Sequence, residues 1–302
     1  MTTQEAAGTL TENLVTLYDR REASGIADMV LENLTGWRKA DRIIHKATEL
    51  TAGQAETLKK YTSELLTHKP VQYVLQQAWF CGIKFHVDDR VLIPRPETEE
   101  LVSWLAEQAE AGPREAPETR EMSILDVGTG SGCIAISLKR KLPAATIYAC
   151  DVSEGALQVA VNNATDLQTA VSFLHLDFLD PDQRTKLPQV DYIVSNPPYI
   201  PTHEKAGLPS NVVGYEPHLA LFVPDGHPLL FYEALADFAC FRNKHPVFVF
   251  AELHEEMARQ AQRLFIAKGF EEVEIKKDIH GKERMIRACT GRWKDRSPSP
   301  GS

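Results

Sequence analysis

Ser123-Ile124-Leu125-Asp126-Val127-Gly128-Thr129-Gly130-Ser131-Gly132, followed by an apolar run at 134–138, is the stretch from which the fold can be read. The first five residues suit a buried strand. The alternating glycines then let the backbone turn sharply and approach a ligand, and the run after them reads as a helix whose first N–H groups are free. Strand, glycine turn and helix in this order form the start of a parallel α/β sheet. The spacing is G-x-G-x-G rather than the G-x-G-x-x-G of dinucleotide folds, which weakens a nicotinamide reading. The simpler alternative for the stretch is a strand-to-helix turn that binds nothing.

Downstream, residues 146–150, 171–176, 192–195 and 247–251 are strand candidates. Helical stretches or loops long enough to cross back separate the first four strands, which predicts a parallel sheet with helices on both faces. Residues 271–277 and 284–288 alternate around Asp278-Ile279-His280-Gly281-Lys282, a hairpin signal. The expected class is therefore α/β: a mostly parallel seven-stranded sheet that ends in an antiparallel hairpin. Upstream, from Leu10 to His68, the apolar spacing is helical, with Ile26, Met29, Val30 and Leu34 on one stripe. Gly25, Gly36 and Gly53 are expected to break it into short helices.

Residues 1–71 are thus read as a small helical bundle and 72–93 as a hairpin or extended linker. In the linker, Gln72-Tyr73-Val74-Leu75 and Ile83-Lys84-Phe85-His86-Val87 look strand-like around Cys81-Gly82. Residues 94–290 hold the sheet, with a polar loop at 112–120, and 291–302 form a Ser/Pro/Lys/Arg-rich tail expected to be disordered. In Ile93-Pro94-Arg95-Pro96-Glu97-Thr98-Glu99 the prolines are expected to delay regular helix until the run Leu101, Val102, Leu105. The acidic residues suit the positive end of that helix.

Composition narrows the function. With 33 Lys and Arg against 42 Asp and Glu, the net charge of −9 argues against nucleic acid or an anionic membrane as the main partner. Glu5 and Glu12 stand where a secretory or transit peptide needs positive charge, and no apolar run approaches the roughly 20 residues of a membrane span. A soluble, cytoplasmic protein is expected. Cys81, Cys133, Cys150, Cys240 and Cys289 are scattered and the histidines lack ligand spacing, so reduced thiols and no metal are expected. Leu253-His254-Glu255-Glu256 lacks the second His of a zinc-protease helix and reads as a solvated helical face.

Ligands of an open parallel sheet bind beyond the carboxyl ends of its strands. Asp151 closes the second strand, roughly 20 residues past the glycines, where it can accept from two ribose hydroxyls or cap the next helix. Asp177-Phe178 ends the third. Its carboxylate could accept from an adenine amino group while the ring packs on the base, or the ring could simply be core. The fourth strand runs into Asn196-Pro197-Pro198-Tyr199, the strongest local signal in the chain. Two prolines fix the backbone and remove two N–H donors, leaving carbonyl acceptors; Asn196 adds a side-chain carbonyl and Tyr199 an aromatic face. Such a site suits a planar N–H₂ group: two acceptors take its hydrogens, the ring covers its plane, and the lone pair is aimed at one point. A structural Pro-Pro turn is the simpler alternative.

With these residues, the chain from Ser123 to about Ala288 resembles class I S-adenosylmethionine-dependent methyltransferases, and Asn196-Pro197-Pro198-Tyr199 resembles the motif of their amino-group-methylating branch. That branch includes adenine N6-methyltransferases of nucleic acids and glutamine methyltransferases of release factors. Four segments together resemble the HemK/PrmC family: Ile93-Pro94-Arg95-Pro96-Glu97-Thr98-Glu99, Leu125-Asp126-Val127-Gly128-Thr129-Gly130-Ser131-Gly132, Ser195-Asn196-Pro197-Pro198-Tyr199-Ile200 and Tyr215-Glu216-Pro217-His218-Leu219-Ala220-Leu221. The helical N-terminal region fits that family's layout, and the likeness covers nearly the whole chain except the tail.

The resemblance implies a Rossmann-like methyltransferase domain. S-adenosylmethionine, released as S-adenosylhomocysteine, would be bound by Gly128, Thr129, Gly130, Ser131, Gly132, Asp151, Asp177, Phe178 and Asn196. Catalysis would fall to Asn196, Pro197 and Tyr199, with Pro198 helping them hold the substrate. That substrate would be the glutamine of the Gly-Gly-Gln loop of peptide-chain release factors, methylated at the side-chain amide nitrogen N5, with the helical domain docking the partner. Phe178-Leu179 departs from the two aromatics or Leu-Phe frequent in the family, and Arg95, Glu97 and Glu99 are left near the site without assigned roles. A monomer without direct nucleic-acid binding is expected. The rivals are an adenine-N6 methyltransferase, which should show a basic groove or recognition insertion, and a noncatalytic binder of the same cofactor.

Overall fold

A computed structural model of the chain describes residues 1–111, 122–242 and 246–291; the loop expected at 112–120 and nearly all of the tail expected at 291–302 lie outside the described residues. Strand β1, Ser123–Val127, is buried from Ile124 to Val127. A strand covered on both faces requires helices on both sides. With β2 (Thr146–Asp151), β3 (Ser172–His175), β4 (Tyr192–Ser195), β5 (Phe248–Glu252), β6 (Glu272–Lys277) and β7 (Glu283–Cys289) it forms one sheet, in the order β6-β7-β5-β4-β1-β2-β3. Strands β1 to β5 are parallel, and β7 lies antiparallel between β5 and β6, as the sequence predicts.

Side chains alternate across the sheet with the strand period of two. On one face Ile124, Val194 and Phe250 pack with Leu101 and Leu105 of the helix Pro96–Ala111 and with Ile134 and Leu138 of the helix Cys133–Lys141. On the other, Leu125, Ile193 and Val249 pack with Leu235 and Phe238 of the helix Leu230–Arg242 and with Ala261 and Phe265 of the helix Ala258–Ala267. The chain runs outward from β1 to β3 and returns to the other edge of β1 with β4. The order therefore reverses between β1 and β4, where an open α/β sheet places its binding crevice. Val127 is in register with Cys150 and Ser195, and Ser195 with Ala251, so the segments after these strands emerge along one edge.

A second compact unit comprises Met1–Gln77, Val87–Asp89 and Leu208–Glu216. Its helices are Thr3–Leu14, Arg20–Thr35, Lys39–Ile44, Ala52–Leu65, Val71–Leu75 and Ser210–Tyr215. Thr2 with Glu5, and Thr51 with Gln54, form capping boxes, and Asp19 caps the second helix by accepting from Glu22 N–H. Leu10, Leu14, Val30, Leu31, Leu58 and Leu65 form the core.

Several local expectations are corrected. Gly36 does end a helix in the left-handed conformation, but Gly25 lies inside Arg20–Thr35 and Gly53 inside Ala52–Leu65. Burial of neighbours such as Ile26, Ala27 and Val30 offsets the roughly 1 kcal/mol penalty of a helical glycine. Gln72-Tyr73-Val74-Leu75 is not a strand but most of the one-turn helix Val71–Leu75, which buries Val71, Val74 and Leu75. Short apolar runs do not distinguish the two by periodicity. The hairpin instead pairs Ala78–Phe80 with Ile83–Phe85 around Cys81-Gly82, both at positive φ, as a two-residue turn requires. The helix expected from Leu101 starts at Pro96, because proline at a first helical position loses no hydrogen bond. Among the described residues no helix is long and apolar enough to cross a membrane.

Two glycines should respond oppositely to alanine. At Gly132, φ is +80° and a Cβ would lie 3.1 Å from Ile136 Cδ1 and 3.2 Å from Ala160 Cβ, whereas at Gly25 it would meet nothing within 4 Å. Urea denaturation should show Gly132→Ala destabilised by about 1–3 kcal/mol and Gly25→Ala stabilised by about 0.5–1 kcal/mol.

Candidate active site

At the order reversal lies a cavity of about 220 Å³. Gly128 and Gly130 line it from the loop after β1, Asp151 from the end of β2, Asp177 and Phe178 from the segment after β3, and Asn196 and Pro198 from the turn after β4. Leu219, Ala220 and Phe231 supply an apolar wall. A smaller cavity shares Gly128, Gly130 and Asn196 and adds Thr129, Ser131, Arg95 and Thr98. Gly132, Pro197 and Tyr199 line neither. Gly132 is held by helix packing, Pro197 is buried, and the Tyr199 ring stands edge-on to His254 at 6.1 Å. His254 is therefore not on a solvated helical face. Its side chain is 13% exposed and its Nε2 is 3.2 Å from Glu204.

Asp151, Asp177 and Asn196 on the cavity wall are each held by hydrogen bonds. Asp151 Oδ2 accepts from Gly130 N–H and Oδ1 from Ser153 N–H, both at 2.9 Å. Burial raises the Asp151 pKa, with these N–H groups pulling the other way. The cap of the following helix is Ser153, which accepts from Ala156 N–H, so Asp151 is not needed in that role. Asp177 Oδ1 accepts from Leu179 N–H at 2.8 Å, and its own N–H donates to Gln183 Oε1. Phe178 is 5% exposed and meets Phe238 edge-to-face, so most of its ring belongs to the core and only its rim faces the cavity.

Asn196 Nδ2 donates to Thr98 Oγ1 at 3.2 Å, and Thr98 Oγ1 donates to Glu252 Oε2 at 2.6 Å. Tyr199 OH donates to Glu252 Oε1 at 2.9 Å. Glu252, at the end of β5, is 2% exposed; burial raises its pKa, while hydrogen bonds from Thr98 and Tyr199 favour its ionised form. Burial, then the Glu252 charge, holds the Tyr199 phenol well above its usual range. Neither Thr98 nor Glu252 stood out in the sequence. They lie 154 positions apart, and nothing local to either signals the other.

Residues 7–75 match the PrmC N-terminal domain family and residues 113–212 the methyltransferase small domain family. The release factor glutamine methyltransferase of Flavobacterium psychrophilum is 35% identical over 274 residues, 91% of this chain and 94% of that protein. The one from Bacteroides thetaiotaomicron is 36% identical over 279 residues, 92% of this chain and 96% of that protein. The chain belongs to the release factor glutamine methyltransferase family. The hMettl16 catalytic domain, solved in complex with a 3′UTR hairpin, has a TM-score of 0.53 at 14% identity, covering 81% of this chain and 84% of that one, and supports the fold alone.

In this methyltransferase the glycine loop rests on a carboxylate that the sequence reading passed over as part of a strand. Asp126 is fully buried; its Oδ2 accepts from Thr129 Oγ1 at 2.7 Å and from Ala135 N–H at 3.2 Å, and its Oδ1 has no partner among the described residues. An acidic residue within an apolar strand was the available signal. Burial, reinforced by the Asp151 charge, pushes its pKa up to about 7 from an ordinary 3.8. A raised folded-state pKa means that this group's contribution to stability is full below the unfolded value and lost as pH rises through the folded one. Melting curves should therefore show Asp126→Asn gaining on the wild type as pH rises from about 4 to about 8; a constant difference would contradict the assignment.

Proposed function

We propose that the chain transfers a methyl group from S-adenosylmethionine to the side-chain amide nitrogen of the glutamine in a release factor's Gly-Gly-Gln loop. One observation carries the chemistry: Asn196 and Pro198, from a turn whose two prolines lack N–H groups, share a cavity wall with the glycine loop and Asp151. The relatives' names supply the substrate.

The wall fits the cofactor. A Cβ at Gly128 or Gly130 would meet nothing within 4 Å, so the backbone opens toward a ligand. The Asp151 carboxylate, aligned by two N–H groups, retains lone pairs for a pair of ribose hydroxyls. Asp177 and the rim of Phe178 are available to a base. When bound, S-adenosylmethionine supplies a methyl group on a positively charged sulfur.

An amide nitrogen shares its lone pair with the carbonyl and is a poor nucleophile. Asn196 Oδ1 and a backbone carbonyl of the Pro197-Pro198 turn accept its two hydrogens, orient the lone pair and favour the pyramidal transition state over the planar ground state. Positioning and exclusion of water supply most of the acceleration, and the proton leaves after transfer. The helical unit docks the partner protein, in the cytoplasm where the substrate works.

Labelled methyl donor offered together with a purified release factor, DNA and RNA should label one glutamine of the protein; label in nucleic acid alone would sink the reading. Asn196→Ala should lower kcat by on the order of a hundredfold while donor affinity holds. Near-normal turnover would remove Asn196 from this role. Deleting residues 1–68 should cost more turnover on the whole release factor than on a loop peptide, and equal losses would make the helices a support only.

A further inference from the structure

Thr98 occupies the first turn of the helix Pro96–Ala111, in a segment whose role the sequence left undecided. Its hydroxyl has a single hydrogen to give. Two hydroxyls converge on Glu252: Thr98 Oγ1 at 2.6 Å from Oε2 and Tyr199 OH at 2.9 Å from Oε1. In both contacts the hydroxyl donates and the carboxylate accepts, so both hydroxyl hydrogens point at Glu252. Thr98 then offers Asn196 lone pairs alone. The oxygen and nitrogen of an amide are not told apart by shape, but here the hydrogen count decides: Asn196 turns its N–H₂ toward Thr98, 3.2 Å away, and leaves Oδ1 pointing elsewhere as an acceptor.

We infer that Glu252 and Thr98 are positioning residues that set the polarity of Asn196, keeping its carbonyl oxygen available to the substrate's N–H while the same carboxylate pins Tyr199. The inference rests on the proposed role of Asn196 as acceptor. Without the Thr98 hydroxyl the Asn196 amide can rotate by half a turn and present N–H₂ to the substrate's N–H₂, donor against donor. Tyr232, whose OH donates to the Glu252 backbone carbonyl at 3.0 Å, holds the strand end that carries the carboxylate.

Thr98→Val preserves shape and removes the hydroxyl, and Thr98→Ser keeps the hydroxyl. Turnover of intact enzyme on a purified release factor should fall about ten- to a hundredfold in Thr98→Val, with donor Kd unchanged. Thr98→Ser should stay within about threefold of wild type. A structural role would move melting temperature and donor binding together and would not separate these two variants. In single-turnover measurements, adding Thr98→Val to Asn196→Ala should lower the rate by less than about twofold, because the residue acts through Asn196. Full activity in Thr98→Val, equal losses in the valine and serine variants, or an additive loss in the double variant would each overturn the inference. If Thr98→Val does not fold, Thr98→Ala, which also removes the hydroxyl, serves as the test: a kcat loss of about tenfold or more at unchanged donor Kd is expected, and wild-type kcat would overturn it. The underlying reading fails separately: Asn196→Ala alone would then be active.

Discussion

β1 and β4 are paired side by side to their last residues, Val127 and Ser195, and a buried hydrogen bond from Ser195 Oγ to the Val127 carbonyl at 2.7 Å reinforces that end of the ladder. The glycine loop leaves the sheet just after Val127 and the Asn196-Pro197-Pro198-Tyr199 turn just after Ser195, so this pairing fixes the spacing of the two segments. It exists because the chain, having built the sheet outward on one edge of β1, returns to the other edge. Had β4 added beyond β3, two strands would lie between the turn and the glycines and the cavity they share would not form.

Three carboxylates stand at or near the same edge of the sheet, and burial raises the pKa of each: Asp126 under the glycine loop, Asp151 at the end of β2 and Glu252 at the end of β5. Each accepts from N–H or O–H groups of the segments around it. Buried charges of this kind are weak sources of stability but strong sources of orientation, since each donor has a single geometry that satisfies it. Asp126 holds Thr129, Asp151 holds Gly130, and Glu252 holds Thr98 and Tyr199. Flexible loops thereby become a fixed wall.

Not every residue that drew attention in the sequence lies on that wall. Gly132 was grouped with its neighbours by spacing, yet it is required where two helices approach closely. Tyr199 offered an aromatic face by its position in the turn, yet its hydroxyl is turned to Glu252 and its ring to His254. Phe178 carries both of the alternatives considered for it, mostly core and partly wall. Spacing identifies which residues travel together along the chain; it does not say which side of a loop each one faces.

By itself the sequence determined the parallel sheet with its closing hairpin, the helical N-terminal region and the placing of Asp151, Asp177 and Asn196 at or just beyond strand ends. Each follows from hydrophobic period, turn chemistry or chain order, all of which are local. Only the tertiary structure decided that Gln72-Tyr73-Val74-Leu75 is helical, that the helix after Ile93 starts at Pro96, and that Thr98 and Glu252 meet behind Asn196. The physical reason is range. The first depends on packing that settles an apolar run of ambiguous period, the second on a proline that fits a first helical position as well as a linker, and the third joins residues whose only connection is that two distant elements converge on the same buried space.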